Sequence, residues 1–227
     1  MKPLQILGLL LFGLFCGTRA NAQQGLLGSV YLGYSNYVGD LTDPTFTFIE
    51  PRLAFGVGVT KTIDARQQLM GSLVIGHLAG SDENYDRNRD RNASFKSSLI
   101  ELTVQYRYHF VAAPPQPREE ADEAKPVLSP FVFGGVGFGY VNPETKLNGT
   151  NFKESDLSKG HFTIPLGAGL TLFLPSGNSL SLEWGIRLPF SDDLDGLSAT
   201  ANPDDRDYYF SGGLRYGFSL GGKRAEE

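Results

Sequence analysis

The residues that could do chemistry share one spacing. In SLSLEWGIRLPF, residues 179 to 190, Glu183 and Arg187 fall on the same parity as Ser179, Ser181, Gly185 and Pro189, while Leu180, Leu182, Trp184, Ile186, Leu188 and Phe190 fall on the other. Glu101 and Arg107 alternate in the same way with Ile100, Leu102, Val104, Tyr106 and Tyr108, and Arg215 with Leu214, Tyr216 and Phe218. Glu50 and Arg52 share the parity of Gly56 and Gly58, against Leu53, Phe55, Val57 and Val59. This set of three acids and four bases therefore points to one side of its segments. Charges enclosed together serve either as a salt-bridge network tying walls to each other or as a selectivity ring around a bore. In a narrow space pairing dominates, because an unpaired buried charge is costly.

Other chemistries find little support. Three histidines occur as His77-Leu78-Ala79, His109-Phe110-Val111 and His161-Phe162-Thr163. None has the His-x-Ser arrangement of a barrel deacylase, and a nucleophilic site would have to be assembled from distant residues. The scattered histidines and single cysteine, Cys16, offer no transition-metal ligand set. Asp192, Asp193, Asp195, Asp204, Asp205 and Asp207 against Arg206 give one stretch a charge of 1 − 6 = −5. Such oxygen-rich loops can bind calcium, but EF-hand spacing is absent, so a solvated acidic loop is expected. Arg87, Arg89, Arg91 and Lys96 could meet lipopolysaccharide phosphates, although Asp86 and Asp90 interrupt them and favour local pairs. A net charge of 20 − 25 = −5 without a basic stripe argues against nucleic acid as a partner. The expectation is a non-enzymatic protein without cofactor or metal.

The elements that position these charges are strands. Side chains alternate faces with period two, and each segment above has one greasy and one polar face. LLGSVYLGYS, EPRLAFGVGVT, QLMGSLVIGHL, FKSSLIELTVQYRYHF, PFVFGGVGFGYV, HFTIPLGAGLTLFL, SLSLEWGIRLPF and YYFSGGLRYGFSL make eight. At about ten residues each they can cross a bilayer at a tilt. The polar faces are rich in Gly and Ser, which suits the narrow inside of a small barrel better than the water-facing side of a sandwich. Tyr34, Tyr140, Phe190 and Tyr208 at one end, and Tyr106, Tyr108, Phe110 and Phe218 at the other, are placed to form aromatic girdles. The reading is an all-β protein, an eight-stranded antiparallel up-and-down transmembrane β-barrel of the outer-membrane type, over residues 23–220. Eight strands leave little bore, so the charges are expected to plug the lumen.

Residues 1–22 read as a secretory signal peptide. Lys2 precedes an apolar run from Ile6 to Cys16 and the Ala20-Asn21-Ala22 cleavage site. Lys61 to Arg66 and Pro175 to Asn178 are short connections, expected on the periplasmic side; Gly39 to Phe48, Ala79 to Ser94, Asn142 to Gly160 and Ser191 to Asp207 are long, expected outside. The exception is a Pro- and charge-rich excursion at 112–126, long yet periplasmic by this count, which carries Arg118, Glu119, Glu120, Asp122, Glu123 and Lys125. Its prolines lower the ordering cost of docking, which makes these six residues a candidate partner contact. A short charged tail occupies 221–227.

Five stretches also carry a likeness. GYSNYVGDL at 33–41, RNASFKSSLIEL at 91–102, PFVFGGVGFGYVNPET at 130–145, PLGAGL at 165–170 and EWGIRLPFSDDLDGLS at 183–198 occur in this order. Together they resemble a Bacteroidota family of small outer-membrane β-barrels that includes PorG of the type IX secretion system. The family often shows a DYLDD-like run after the seventh strand, where this chain has Ser191-Asp192-Asp193-Leu194-Asp195-Gly196. The resemblance implies a barrel in the bacterial outer membrane, in contact with its lipid and lipopolysaccharide, that serves protein transport beside periplasmic secretion-ring proteins. The alternatives are an OmpA- or OmpX-like structural or adhesive barrel, or a small pore.

Overall fold

The computed structural model describes residues 26–38, 50–81, 93–114, 125–147, 150–152, 159–190 and 208–220. They form strands β1 (Leu26–Val38), β2 (Arg52–Thr62), β3 (Gln67–Ser81), β4 (Ala93–His109), β5 (Val127–Leu147), β6 (Thr150–Phe152), β7 (Gly160–Phe173), β8 (Ser179–Pro189) and β9 (Tyr208–Ser219). Apart from the short β6, each strand pairs antiparallel with its neighbours in the chain, and β1 pairs with β9 from Leu27↔Ser219 to Val38↔Tyr208. That last pairing closes an eight-stranded up-and-down barrel, as expected from the eight alternating segments.

Closure explains the alternation. On β8 the buried positions are Ser181, Glu183, Gly185, Arg187 and Pro189, and the exposed ones include Leu182, Trp184 and Leu188. On β4 the odd residues from Ala93 to His109 are buried, while Ile100, Val104 and Tyr106 are exposed. Leu69, Leu73 and Ile75 face outward on β3, as their parity requires. Leu32, Phe55, Val136, Phe162 and Leu214 add to the apolar exterior, each at least half exposed. Such a surface far exceeds the apolar patch a water-soluble monomer tolerates, and it wraps a barrel with no open edge.

The first strand starts and the last one finishes at the same end of the barrel, near Leu26 and Ser219; this is the terminal end, and the opposite is the far end. The terminal end is built from tight turns. Asp64 Oδ1 accepts from the backbone N–H groups of Arg66 (2.8 Å) and Gln67 (2.9 Å), fixing the turn after β2. Gly177, at φ 85°, takes the left-handed conformation that the turn after β7 needs. The third connection at this end starts tied down: Ala113 N–H donates to the Ala65 carbonyl at 2.5 Å.

Strand lengths differ from the expected ten or so residues. β4 has 17 and β5 has 21. The stretch from Asn142 to Gly160 is expected from the sequence as a long outer connection. Instead β5 runs through Pro143 to Leu147, paired with Ala93–Ser97 of β4, and then forms a short hairpin with β6. Proline lacks a donor, but Asn142 N–H finds Ser97 Oγ at 3.1 Å. Around Pro165 on β7, by contrast, ladder pairing with β5 is missing between Gly134↔Leu166 and Gly137↔Thr163. The expected signal peptide, the expected tail and residues 115–124 lie outside the described residues.

Candidate functional site: the lumenal charge cluster

β4 runs from the far end to the terminal end, and β8 runs the other way. Glu101 therefore lies above Arg107 on β4, with the far end taken as up, while Arg187 lies above Glu183 on β8. Facing each other across the lumen, the two strands present acid to base twice. In the upper rung, Arg187 Nε donates to Glu101 Oε1 at 3.3 Å. In the lower rung, Arg107 Nη2 donates to Glu183 Oε2 at 2.7 Å. β9 joins both. Arg215 donates to Glu183 through Nη2 (2.7 Å) and Nε (3.1 Å to Oε1), and the Tyr209 hydroxyl donates to Glu101 Oε2.

All five charges are buried, none more than 7% exposed. Ion pairs this dry are stable only with further hydrogen bonds and packing. Arg215 Nη1 reaches Ser29 Oγ at 3.3 Å, and Arg107 Nη2 reaches Gln105 Oε1 at 3.3 Å. Aromatic faces supply the rest: the Arg107 guanidinium lies 5.1 Å from the Phe131 ring centroid and 5.5 Å from that of Phe133, and Arg215 lies 4.9 Å from Tyr31. Glycines make room for these rings. A Cβ at Gly169 would stand 2.5 Å from Phe131 Cζ, and one at Gly185 would stand 2.8 Å from Phe133 Cζ.

Above the upper rung the lumen turns apolar. Tyr37, Leu78, Ala93, Phe95, Leu99, Val141 and Tyr209 form a fully buried cluster, with the Tyr37 and Phe95 rings edge to face at 4.7 Å. Tyr209 belongs to both layers: its ring packs in the cluster and its hydroxyl holds Glu101. Below the lower rung, Gln68, His109, Ser129, Thr171 and Ser181 line the lumen in a polar layer.

Of the seven charges expected in the network, Glu101, Arg107, Glu183, Arg187 and Arg215 come together. Glu50 and Arg52 do not. They pair with each other at 3.5 Å, with side-chain exposures of 18% and 43%, at the far-end mouth. Arg52 has inward parity but is the first residue of β2, so it stands at the rim, in water, beyond the reach of the rungs. Tyr209, Tyr31, Phe131 and Phe133 were missed as partners. Parity placed Tyr209 inward, but nothing local couples it to a carboxylate 108 residues away.

The histidines remain apart. His77 is exposed on the outer face, and His109 and His161 are buried in the lumen. His109 does meet a serine: Nδ1 lies 3.2 Å from Ser129 Oγ, and Nε2 lies 3.2 Å from Gln68 Oε1. Ser129 is wholly buried and hydrogen-bonds to the Val111 carbonyl at 2.7 Å, and the third member is an amide rather than an acid. A buried hydroxyl without an orienting carboxylate relay is a packing contact rather than an acyl-transfer triad. Among the described residues no group of three or more His, Cys, Asp or Glu is disposed to hold a metal ion. Of the candidate partner contact, Lys125 is exposed beside the start of β5, while Arg118, Glu119, Glu120, Asp122 and Glu123 lie outside the described residues, as do Arg87, Arg89, Arg91 and the acidic stretch from Asp192 to Asp207.

The model of a family described as "Domain of unknown function (DUF6089)" matches residues 5–219. No curated protein matches the sequence. Among solved structures, Neisserial surface protein A (NspA) superposes with a TM-score of 0.50 at 10% identity, over 86% of this chain and 97% of that one. Ail, the attachment invasion locus protein of Yersinia pestis, gives 0.46 at 13% identity over 86% and 99%. The outer membrane protein OprG from Pseudomonas aeruginosa gives 0.41 at 8% identity over 89% and 100%. Identities this low speak to fold alone: the architecture is that of bacterial outer-membrane β-barrels.

Proposed function

The chain belongs to the DUF6089 family, and from that premise and its filled lumen we propose that it is a non-enzymatic barrel of the bacterial outer membrane that works through its surfaces and not through its bore. One observation carries this reading: two ion-pair rungs cross the lumen, and an apolar cluster closes it above them. Eight strands leave an interior just wide enough for side chains, and here large ones occupy it. Purified protein in a planar bilayer is expected to give no discrete conductance steps. Steady single-channel openings would overturn the reading and favour a small pore.

The finer proposal is PorG-like service in the type IX secretion machinery, with the terminal end facing the periplasm. It rests on the resemblance of the five stretches quoted above and on one asymmetry. Two of the three terminal-end connections are tight turns, so a periplasmic ring protein has mainly the 112–126 excursion to grip. The alternative, a structural or adhesive barrel, draws on the opposite end, where β3, β4 and β5 rise past the shorter strands and β6 extends them. Replacing 114–125 with a short Gly-Asn turn, after confirming barrel assembly by heat-modifiable gel mobility, separates the two. Loss of secretion and of ring-protein co-purification is expected for a secretion component; unchanged values for both favour the alternative.

A further inference from the structure

The five buried charges do not balance. Among the described residues, three guanidiniums and two carboxylates buried in the lumen give 3 − 2 = +1. The excess is not spread evenly. Just below the lower rung is a cavity of about 30 Å³, lined by both Arg107 and Arg215. Its lining includes no carboxylate, because Glu183 lies on the other side of the two guanidiniums and Glu101 belongs to the upper rung.

The rest of the lining consists largely of groups that can donate. Ser29 and Thr60 bring hydroxyls, and Thr171 and Ser181, hydrogen-bonded to each other at 2.9 Å, leave one more hydroxyl hydrogen between them. Gln68 turns its Oε1 to His109 Nε2, which leaves its amide N–H groups for the cavity. Arg107 and Arg215, only 4% and 5% exposed, both border the cavity. A net charge left without a counter-charge in a low-dielectric space is costly. A site of this volume holds about two water molecules, or one ion somewhat larger than water.

We infer that this cavity is a binding site for a small monovalent anion of halide size, which neutralises the lumen and accepts from Arg107, Gln68 and the hydroxyls around it. The lining strands β7 and β8 end close by, at Phe173 and Ser179, so the ion enters from the terminal end. The inference rests on the barrel and its charges, not on any role in secretion.

Crystals of the full chain grown in sodium bromide test it directly: an anomalous peak is expected between Arg107 and Arg215. In detergent, the unfolding midpoint followed by heat-modifiable gel mobility should be higher in bromide than in gluconate at equal concentration. Above the dissociation constant it should climb by roughly 3–6 °C per tenfold increase. Gln68→Glu supplies a fixed negative charge at the cavity wall and should abolish that difference. A cavity without bromide density, or an equal bromide effect in wild type and Gln68→Glu, overturns the site. Should Gln68→Glu fail to fold, the crystal of the natural sequence still decides.

Discussion

The lumen has two closures of opposite chemistry. The waist is held by Glu183 with Arg107 and Arg215, and by Glu101 with Arg187 and Tyr209. The far-end cluster is held by Leu78, Phe95, Leu99, Val141 and their neighbours, with no charge at all. Each fills its cross-section, but they respond differently to change. Apolar packing is non-directional, and a similar volume can be substituted with local adjustment. A buried carboxylate that accepts from two guanidiniums has no substitute of both its shape and its charge. The charged layer therefore fixes which strands face each other, and the apolar layer chiefly excludes water.

The sharpest way to break the comparison is Glu183→Gln. It preserves shape, but leaves Arg107 and Arg215 close together with no carboxylate between them. Loss of one partner from a buried pair costs about 3–5 kcal/mol, so a large drop in the unfolding midpoint on heat-modifiable gels is expected; a melt like the natural protein's would show the waist to be solvated. Next comes Leu182→Arg, one residue away at the same height on the outer face. An arginine is accommodated inside the wall at this level but should cost about 2–4 kcal/mol outside it, read as poorer folding into lipid vesicles. Probes at 182 and 183 should likewise report lipid and lumen; equal aqueous accessibility would sink the assignment of faces.

A smaller effect is expected where the two closures meet. Tyr209→Phe keeps the ring in the cluster and removes only the donor to Glu101. A hydrogen bond to a charged group is worth about 1.5–3 kcal/mol, which the same gel assay resolves. Within the apolar layer, the volume-conserving Leu78→Met should cost less than about 1.5 kcal/mol. If it matched Glu183→Gln, the distinction between the layers would fail. Smallest of all is Arg52→Ala at the mouth. Its pair with Glu50 is partly solvated, and exposed pairs contribute about 0–1 kcal/mol, so a midpoint close to the natural one is expected.

The outer face was almost wholly legible in the sequence. Leu182, Trp184, Leu214 and Phe218 face lipid by parity alone, since the strand's period needs no partner to be read. The lumen was legible in kind but not in detail. Parity puts Glu101, Arg187 and Tyr209 inside, yet their meeting joins residues 86 and 108 positions apart, set by strand order and register. Height along the strand was the other missing coordinate. Glu50 and Arg52 have the inward parity of network members, but only the register with β1 shows that β2 begins at the rim. The length of β5 escaped for a related reason: Asn142-Pro143 is a turn signal locally, overridden by β4 pairing alongside it.

The stack on the outer wall has a spectroscopic consequence. The chain's single tryptophan, Trp184, lies parallel to Phe210 with centroids 5.2 Å apart and planes 10° from coplanar, against the bare backbone of Gly212. The natural protein thus carries one indole fluorophore, on the face that passes from water into lipid. A blue shift of its emission, and its quenching by brominated acyl chains, would time the insertion of β8 without an introduced label.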